Sequence, residues 1–113
     1  MNIQIIGKKK CTETQKAERF FKERRIPYHF RDLTVKGISK GELENIKRSV
    51  PLQELIDKDG RQFKERGLEY MKYDTEIELI KDPLLLKTPI VRNGKLATVG
   101  YKSEIWKEWI SVN

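Results

Sequence analysis

One side chain in this sequence is suited to covalent chemistry. Cys11 is the single cysteine of the chain and follows three consecutive lysines, Lys8 to Lys10. Thr12 and Gln15 then match the capping-box pattern of a helix start. Helix-terminal amides and nearby positive charge both lower the pKa of a thiol, and the thiolate is the reactive form. We therefore expect a reactive Cys11 with Lys10 and Thr12 as thiolate-stabilising neighbours; the alternative is a buried, inert cysteine.

Composition excludes several other chemistries. A single cysteine allows neither an internal disulfide nor a cysteine-rich zinc site. The one histidine, His29, lies in a strand-like segment and is a poor basis for a metal site or a serine–histidine triad. No bound metal or cofactor is expected. An oxidised Cys11 would therefore need an outside thiol to reduce it.

The charge of the chain is unevenly distributed. Its 113 residues include 24 lysines and arginines against 17 aspartates and glutamates, a net charge of +7. Residues 1–36 hold ten of these cations and only four of the anions, so most of the excess surrounds Cys11. Such a field suits a small anionic substrate or a low thiol pKa. Nucleic acid is not expected as a partner, because no glycine–aromatic RNA motif or helix-turn-helix pattern is present.

The sequence carries no pattern that directs it to a membrane. No segment approaches the ~20 apolar residues needed to span a bilayer. The first seven residues are mostly apolar, but the basic residues follow them, whereas a secretory signal has the reverse order. These features predict a cytoplasmic protein, in which a lone cysteine stays reduced.

The elements around Cys11 are predicted to form a β-α-β unit. Residues 2–6 are rich in β-formers and predict a strand, and apolar residues at helical spacing follow Thr12. This helix should end near Arg25, because the residue before Pro27 disfavours helical backbone. Tyr28–Asp32 alternates aromatic and polar residues and predicts a second strand, parallel to the first.

The middle of the chain is predicted to be helical. Ser39 and Glu42 form a capping box, and Pro51 ends the helix that they open. Thr75 with Glu78 opens a last short helix through Ile80. No strand pattern occurs between about residues 37 and 87. We interpret this stretch as an all-helical insertion, too short to be a domain of its own.

The last third returns to strands. Residues 90–92 and Leu96–Val99 predict two strands, and Asn93 with Gly94 between them predicts a type I′ hairpin turn, in which both residues adopt positive φ. Ser103 is predicted to start a final helix. The apolar side of that helix is predicted to comprise Ile105, Trp106, Trp109 and Ile110.

The order β-α-β, helical insertion, β-β-α is the thioredoxin topology. We therefore expect an α/β thioredoxin- or glutaredoxin-like fold with a four-stranded sheet, formed by residues 1–113 as one domain. Folds of this kind place a cis proline beside the active cysteine. Thr88–Pro89, at the entry to the third strand, is the candidate; the alternative is an ordinary trans proline that starts an edge strand.

Three segments in the right order resemble the arsenate reductase family, the ArsC/Spx branch of the thioredoxin-like folds. They are CTETQKA from Cys11, TPIV from Thr88 and VGYK from Val99. The resemblance extends over essentially the whole chain, including the helical insertion. It implies a cysteine nucleophile beside a cis proline, with glutathione as co-substrate and a glutaredoxin-type thiol partner. The substrate would be a small oxyanion or a glutathione mixed disulfide.

Arsenate reductases of this family are expected to hold the oxyanion with arginines, whose planar guanidinium groups bind it in a bidentate manner. Here the residue before the proline is Thr88, and Asp59 stands where the insertion would carry an arginine. Arg61, Arg92 and Lys102 are the candidates for anion or substrate binding in their place. The match is closer to the glutathione-dependent thiol reductases of the family than to arsenate reductases proper.

A second branch of the family consists of Spx-type regulators that bind RNA polymerase and often carry a CxxC redox switch. Thr14 occupies the position of the second cysteine, so this chain cannot form that switch. Thr14 is predicted either to donate a hydrogen bond to the thiolate or to help cap the helix. A non-enzymatic regulator of the Spx type, and a family member with neither activity, remain the alternatives to a single-cysteine oxidoreductase.

Overall fold

The computed structural model describes residues 1–111. Its helices and strands follow the predicted order, and two short 3₁₀ turns lie in the insertion. The elements are β1 (Ile3–Gly7), α1 (Thr12–Glu23), β2 (Tyr28–Asp32), α2 (Lys40–Lys47), α3 (Leu52–Leu55), α4 (Arg61–Glu65), α5 (Thr75–Lys81), β3 (Ile90–Asn93), β4 (Leu96–Val99) and α6 (Ser103–Ser111), with the 3₁₀ turns at Leu68–Tyr70 and Pro83–Leu85.

The four strands form one mixed sheet with the order β2-β1-β3-β4. β1 runs parallel to β2, as expected for strands joined by the crossover helix α1. β3 is antiparallel to both β1 and β4. This is the thioredoxin-like topology that the sequence predicts, and the prediction of the fold class is confirmed. The carboxyl end of β1 and the amino end of β3 lie side by side, because Ile6 pairs with Ile90.

The two faces of the sheet bury two separate cores. Side chains alternate along a strand, so Ile5 and Ile6 point to opposite faces. Ile5 packs in a cluster with residues of α1 and α6, whose centre is the fully buried Trp106. Ile6 packs against the apolar side chains of the helical insertion. The insertion therefore covers one face of the sheet while α1 and α6 cover the other.

The insertion contains helices and no β-strand, as predicted. Its first helix, α2, begins with the predicted capping box: the Ser39 hydroxyl accepts from the Glu42 amide at 3.1 Å, and the Glu42 carboxylate accepts from the Ser39 amide at 3.0 Å. A single antiparallel β-bridge joins Ile56, directly after α3, to Leu86, directly after the second 3₁₀ turn. It brings together the two ends of the segment that contains α4 and α5. The chain therefore enters β3 from a segment anchored by backbone hydrogen bonds.

The capping box predicted for Thr12 and Gln15 is wrong. Cys11 itself is the N-cap residue of α1, and the Gln15 side chain donates to the carbonyl of Lys9 at 2.8 Å. The helix α5 begins at Thr75, as predicted, and Asp74 before it is the N-cap residue, which accepts from the Ile77 amide at 3.1 Å.

The predicted end of α1 and the predicted hairpin turn also need correction. α1 stops at Glu23 because Arg25 adopts a φ of 56° and the Ile26 amide bonds back to the Phe21 carbonyl, a Schellman-type ending. In the hairpin Asn93 pairs with Leu96, so the loop consists of residues 94–95. Only its glycine has positive φ, and a type I′ turn requires two such residues.

One residue assigned to the apolar side of α6 does not belong there. Trp106 is fully buried, and Trp109 and Ile110 pack partly buried against the same core. Ile105 is 39% exposed and lies on the other side of the helix. Adjacent helical residues differ by about 100° in direction, so Ile105 and Trp106 cannot both point into one core.

Candidate functional site

Cys11 lies between the end of β1 and the first turn of α1. Its amide donates to the Lys8 carbonyl at 3.0 Å, which closes a tight turn after the strand, and its carbonyl accepts from Gln15 as the helix begins. The side chain is half-buried and is a free thiol. This placement at the helix N-cap matches the strand-to-helix junction predicted from the sequence.

Thr88 is the residue that the tertiary structure brings to the sulfur. Its hydroxyl lies 3.2 Å from Cys11 Sγ and can donate a hydrogen bond to it, while the thiol faces the Thr88 carbonyl at 3.9 Å. The following Thr88–Pro89 peptide bond is cis, and Pro89 is buried. The Pro89 carbonyl accepts from the Gly100 amide at 2.8 Å. This bond ties the loop after β4 to the segment that faces the thiol.

Several hydrogen bonds act on the pKa of Cys11. Burial raises this pKa, but the hydroxyls of Thr14 and Thr88 together with the amides of Thr14 and Glu13 lower it, and the net pKa lies below the ordinary value of a thiol. These donors are the first turn of the helix and the residue before the proline. They, and not the lysines before Cys11, are the main causes of the lowered pKa.

Thr14 lies in the first turn of α1, close to the sulfur. Its side chain is fully buried, and its hydroxyl has no hydrogen-bond partner of good geometry among residues 1–111. A Cβ on Gly7 would lie 2.5 Å from this hydroxyl, so the glycine leaves the space that the side chain fills. Thr14 makes no capping hydrogen bond. Its hydroxyl is among the groups that lower the pKa of Cys11, and donation to the thiolate stays a prediction.

Lys10 and Thr12 are exposed, and within residues 1–111 neither side chain forms a hydrogen bond with the sulfur. Lys8 turns away and donates to the Leu84 carbonyl at 3.2 Å. It borders a cleft of about 210 Å³ that also includes Arg61. The structure therefore shows no side-chain contact that supports the thiolate-stabilising roles predicted for Lys10 and Thr12.

The two arginines predicted to bind an anion are engaged elsewhere. Arg61 is exposed and paired with Glu65 at 2.7 Å on the same helix. Arg92 lies on the face of the sheet covered by the insertion, where it contacts Glu42 at 3.7 Å and Gln4 at 3.5 Å. It is four residues along the strand from Thr88, roughly 13 Å away. The expectation that Arg92 meets a substrate at Cys11 is therefore not supported, because its register directs it to Glu42.

Lys102 is exposed in the loop between β4 and α6. It borders a recess of about 180 Å³ together with Val50, Pro51 and Ile105. Two residues earlier, Gly100 is bonded to Pro89, so this loop adjoins the cysteine-facing segment. Among the predicted anion-binding residues, Lys102 is the one whose loop reaches this segment and whose side chain has no carboxylate partner among residues 1–111.

Two residues near Cys11 were not found from the sequence. Gly7 leaves room for the Thr14 side chain. The Glu13 carboxylate lies close to Gly100, 3.7 Å from the place that a Cβ atom added to this glycine would occupy. Glycine before a lysine run has no distinct sequence signal, and the approach of Glu13 to Gly100 depends on the fold. Within the described part of the chain, no group of acidic, histidine or cysteine side chains could hold a metal ion. No helix there is long and apolar enough to cross a bilayer.

A cysteine at the start of the first helix, opposite a cis proline before the third strand, defines a thioredoxin-like α/β protein of the single-cysteine type. The model of the ArsC family matches residues 6–109. The chain therefore belongs to the ArsC family, as the three sequence segments indicated.

The chain is similar in sequence to a described regulator and in fold to a described reductase. The global transcriptional regulator Spx 2 of Oceanobacillus iheyensis is 30% identical over 97% of this chain and 84% of its own length. A Bacteroides fragilis protein described as related to the ArsC family is 25% identical, with a TM-score of 0.81 and coverage of 96% and 97%. An arsenate reductase from Vibrio cholerae shares the fold, with 18% identity, a TM-score of 0.80 and coverage of 96% and 97%.

Proposed function

We propose that this protein is a thiol oxidoreductase in which Cys11 reduces a glutathione mixed disulfide, with glutathione as the co-substrate. The observation that carries the proposal is the hydrogen bond of 3.2 Å between the Thr88 hydroxyl and the Cys11 sulfur. It lies beside the helix amides that also lower the thiol pKa. A half-exposed thiol of lowered pKa is the ordinary nucleophile of thiol–disulfide exchange.

The reaction needs two exchanges because the chain has one cysteine. The Cys11 thiolate attacks the glutathione sulfur of the mixed disulfide, the old S–S bond breaks, and the substrate sulfur leaves as a thiolate that takes up a proton. A second glutathione thiolate then attacks the Cys11–glutathione disulfide. It forms oxidised glutathione and regenerates the Cys11 thiolate. One added glutathione thus converts the mixed disulfide into a free thiol and oxidised glutathione.

A mixed disulfide fits this site better than arsenate or a similar oxyanion. A divalent oxyanion must be neutralised before a thiolate can approach it, which guanidinium groups do best. Thr88 occupies the position before the proline, and Arg61 and Arg92 have carboxylate partners. Lys102 remains as a candidate cation for a glutathione carboxylate. Hydroxyl donors can stabilise a thiolate without binding a divalent anion.

Turnover of a glutathionylated peptide with glutathione tests the proposal. Wild-type protein should release the peptide thiol catalytically, and Cys11→Ser should abolish turnover because the nucleophile is removed. Thr88→Val should slow the reaction, whereas Thr12→Val, which removes an exposed hydroxyl that does not contact the sulfur, is the matched control. Arsenate should not be reduced under the same conditions. Equal turnover by the Cys11→Ser variant would refute the proposal.

A second candidate function is that of an Spx-type regulator that binds RNA polymerase. It is favoured by the similarity to the Oceanobacillus regulator over nearly the whole chain. Binding to the purified α subunit of RNA polymerase, with Cys11→Ser as a comparison, tests this function directly. Saturable binding that is indifferent to Cys11→Ser, in a protein that does not turn over the mixed disulfide, would replace the first proposal with the second.

A further inference from the structure

A groove of about 630 Å³ runs between α1 and the start of α6, on the outer side of the helices that cover the sheet. Four basic side chains border it, three of them on or just after α1 and one on α6. All four are exposed. They are Lys16, Arg19, Arg24 and Lys107. Positive charge from two separate helices therefore converges on one surface.

These four cations have no carboxylate partner within 4 Å among residues 1–111. Outside the groove, Arg31, Arg66 and Arg92 each contact a carboxylate. Glu13 and Glu23 also border the groove, so four positive charges face two negative ones. The excess is positive, and it attracts negatively charged groups.

The floor of the groove is aromatic. The Arg24 guanidinium lies 3.8 Å above the centre of the Phe20 ring and donates to the Phe20 carbonyl at 3.1 Å. Tyr101 is 41% exposed, and its ring packs edge-on against Trp106 with 5.2 Å between the ring centroids. The contact with the buried tryptophan holds the tyrosine in place. Phe20 is only 4% exposed beneath the guanidinium, so the apolar surface that the groove offers a ligand is the Tyr101 ring.

We propose that this groove binds an acidic segment of a partner polypeptide, in which carboxylates alternate with apolar side chains. The helix from Glu13 to Arg24 is roughly 16 Å long, the span of about five extended residues. This is longer than a tripeptide such as glutathione. The carboxylates of the segment would lie against the four cations and an apolar side chain against Tyr101.

Polypeptide fits the groove better than nucleic acid does. Glu13 and Glu23 also border the groove, and no basic side chain among residues 1–111 neutralises either one. A phosphate backbone carries one negative charge at every step and would be repelled at these two positions. A polypeptide can place an apolar or basic residue there. Rim charges of both signs select among partners in this way.

The groove begins at Glu13, two residues after the cysteine. Cys11 itself does not line the groove, but a polypeptide that extends beyond the Glu13 end would let a protein disulfide reach Cys11. That consequence rests on the function proposed above, whereas the binding itself does not depend on sulfur chemistry. The two can be separated by measuring binding with the Cys11→Ser variant.

Fluorescence anisotropy with a short fluorescein-labelled peptide of alternating glutamate and leucine tests the proposal in the Cys11→Ser background. We expect saturable binding that weakens as salt is raised. Reversal of two groove cations, Arg19→Glu with Lys107→Glu, should weaken it about tenfold or more. Lys64→Glu with Lys95→Glu reverses two exposed lysines outside the groove and should change the affinity by less than about threefold at moderate salt.

Three outcomes would overturn the proposal. They are equal weakening by both double variants, no saturable binding of the acidic peptide, and tighter binding of single-stranded DNA of equal charge. Thermal unfolding of both double variants checks that they are folded, and all four substituted residues are exposed. If peptide binding fails while a small glutathione mixed disulfide is still turned over, the groove proposal is wrong and the proposed oxidoreductase function stands.

Discussion

Substitution of Thr14 by valine should make the protein more stable and its cysteine less reactive. The Thr14 hydroxyl is fully buried and has no hydrogen-bond partner of good geometry among residues 1–111. It is also a hydrogen-bond donor that lowers the pKa of Cys11. Valine has nearly the same shape and lacks the hydroxyl. The two effects therefore have opposite signs and can be measured separately.

The gain in stability follows from the cost of an unsatisfied buried hydroxyl. Such a group costs about 1–3 kcal/mol. Because Gly7 packs closely around Thr14, the slightly larger methyl group fits imperfectly, and we expect the lower end of this range. A gain of about 1 kcal/mol raises the melting temperature of a domain of this size by roughly 4 °C. Unfolding measured at several pH values separates this effect from the charge on the sulfur, because lower pH favours the neutral thiol.

The loss of reactivity follows from the hydrogen bond to the thiolate. A hydrogen bond to a charged group contributes about 1.5–3 kcal/mol. Because Cys11 is half-exposed, we expect a contribution at the lower end of this range. Its loss corresponds to about a tenfold decrease in the thiolate population at pH values below the pKa. A more basic thiolate is also a better nucleophile, with a Brønsted coefficient of about 0.5, so the alkylation rate should fall about threefold. The pKa of Cys11 should rise toward its ordinary value.

Iodoacetamide alkylation rates measured across pH give both the pKa and the rate. Thr14→Ser is the matched control, because it keeps the hydroxyl and removes only the methyl group. It should retain the reactivity and lose roughly 1 kcal/mol of stability. An unchanged alkylation profile in Thr14→Val, or a lower stability than that of the wild type, would show that the hydroxyl does not act on the sulfur as described.

Three further predictions concern packing and pH. Gly7→Ala should destabilise the protein by about 1–3 kcal/mol in urea unfolding and slow alkylation, because the new methyl group would lie 2.5 Å from the Thr14 hydroxyl; unchanged values would contradict this. Hydrogen bonding with Arg31 is the main reason that the pKa of Glu42 lies at about 2 and not 4.5. The free energy of unfolding should therefore fall as pH drops through this interval, because the carboxylate becomes protonated and loses its partner. The expected loss is about 1 kcal/mol, since solvent screens this partly exposed pair. Glu42→Gln should remove that part of the pH dependence. Trp106→Phe leaves the buried Thr98 hydroxyl without its donor at 2.9 Å and should cost about 2–4 kcal/mol, whereas identical melting curves would refute the role of this bond.

Local sequence was sufficient for the features that short segments encode. The strand before Cys11, the helix after it and the capping box at Ser39 depend on side chains within four residues of one another. The element order then implied the fold, since a strand, a helix and a parallel strand have one usual handedness. The prediction failed where two local solutions compete, as at Thr12, where Cys11 took the N-cap position and left Gln15 to bond Lys9.

The sequence by itself determined that the chain has one cysteine and that this cysteine lies at a helix start, because the composition contains no second thiol and the strand-to-helix pattern is local. Only the tertiary structure decided what surrounds that cysteine. Thr88 is 77 residues from Cys11 along the chain, and it meets the sulfur because β3 pairs beside β1. The same register directs Arg92 to Glu42 and away from the thiol. Residue types fix which donors and charges are available, but strand register and helix packing fix which of them are within hydrogen-bonding distance.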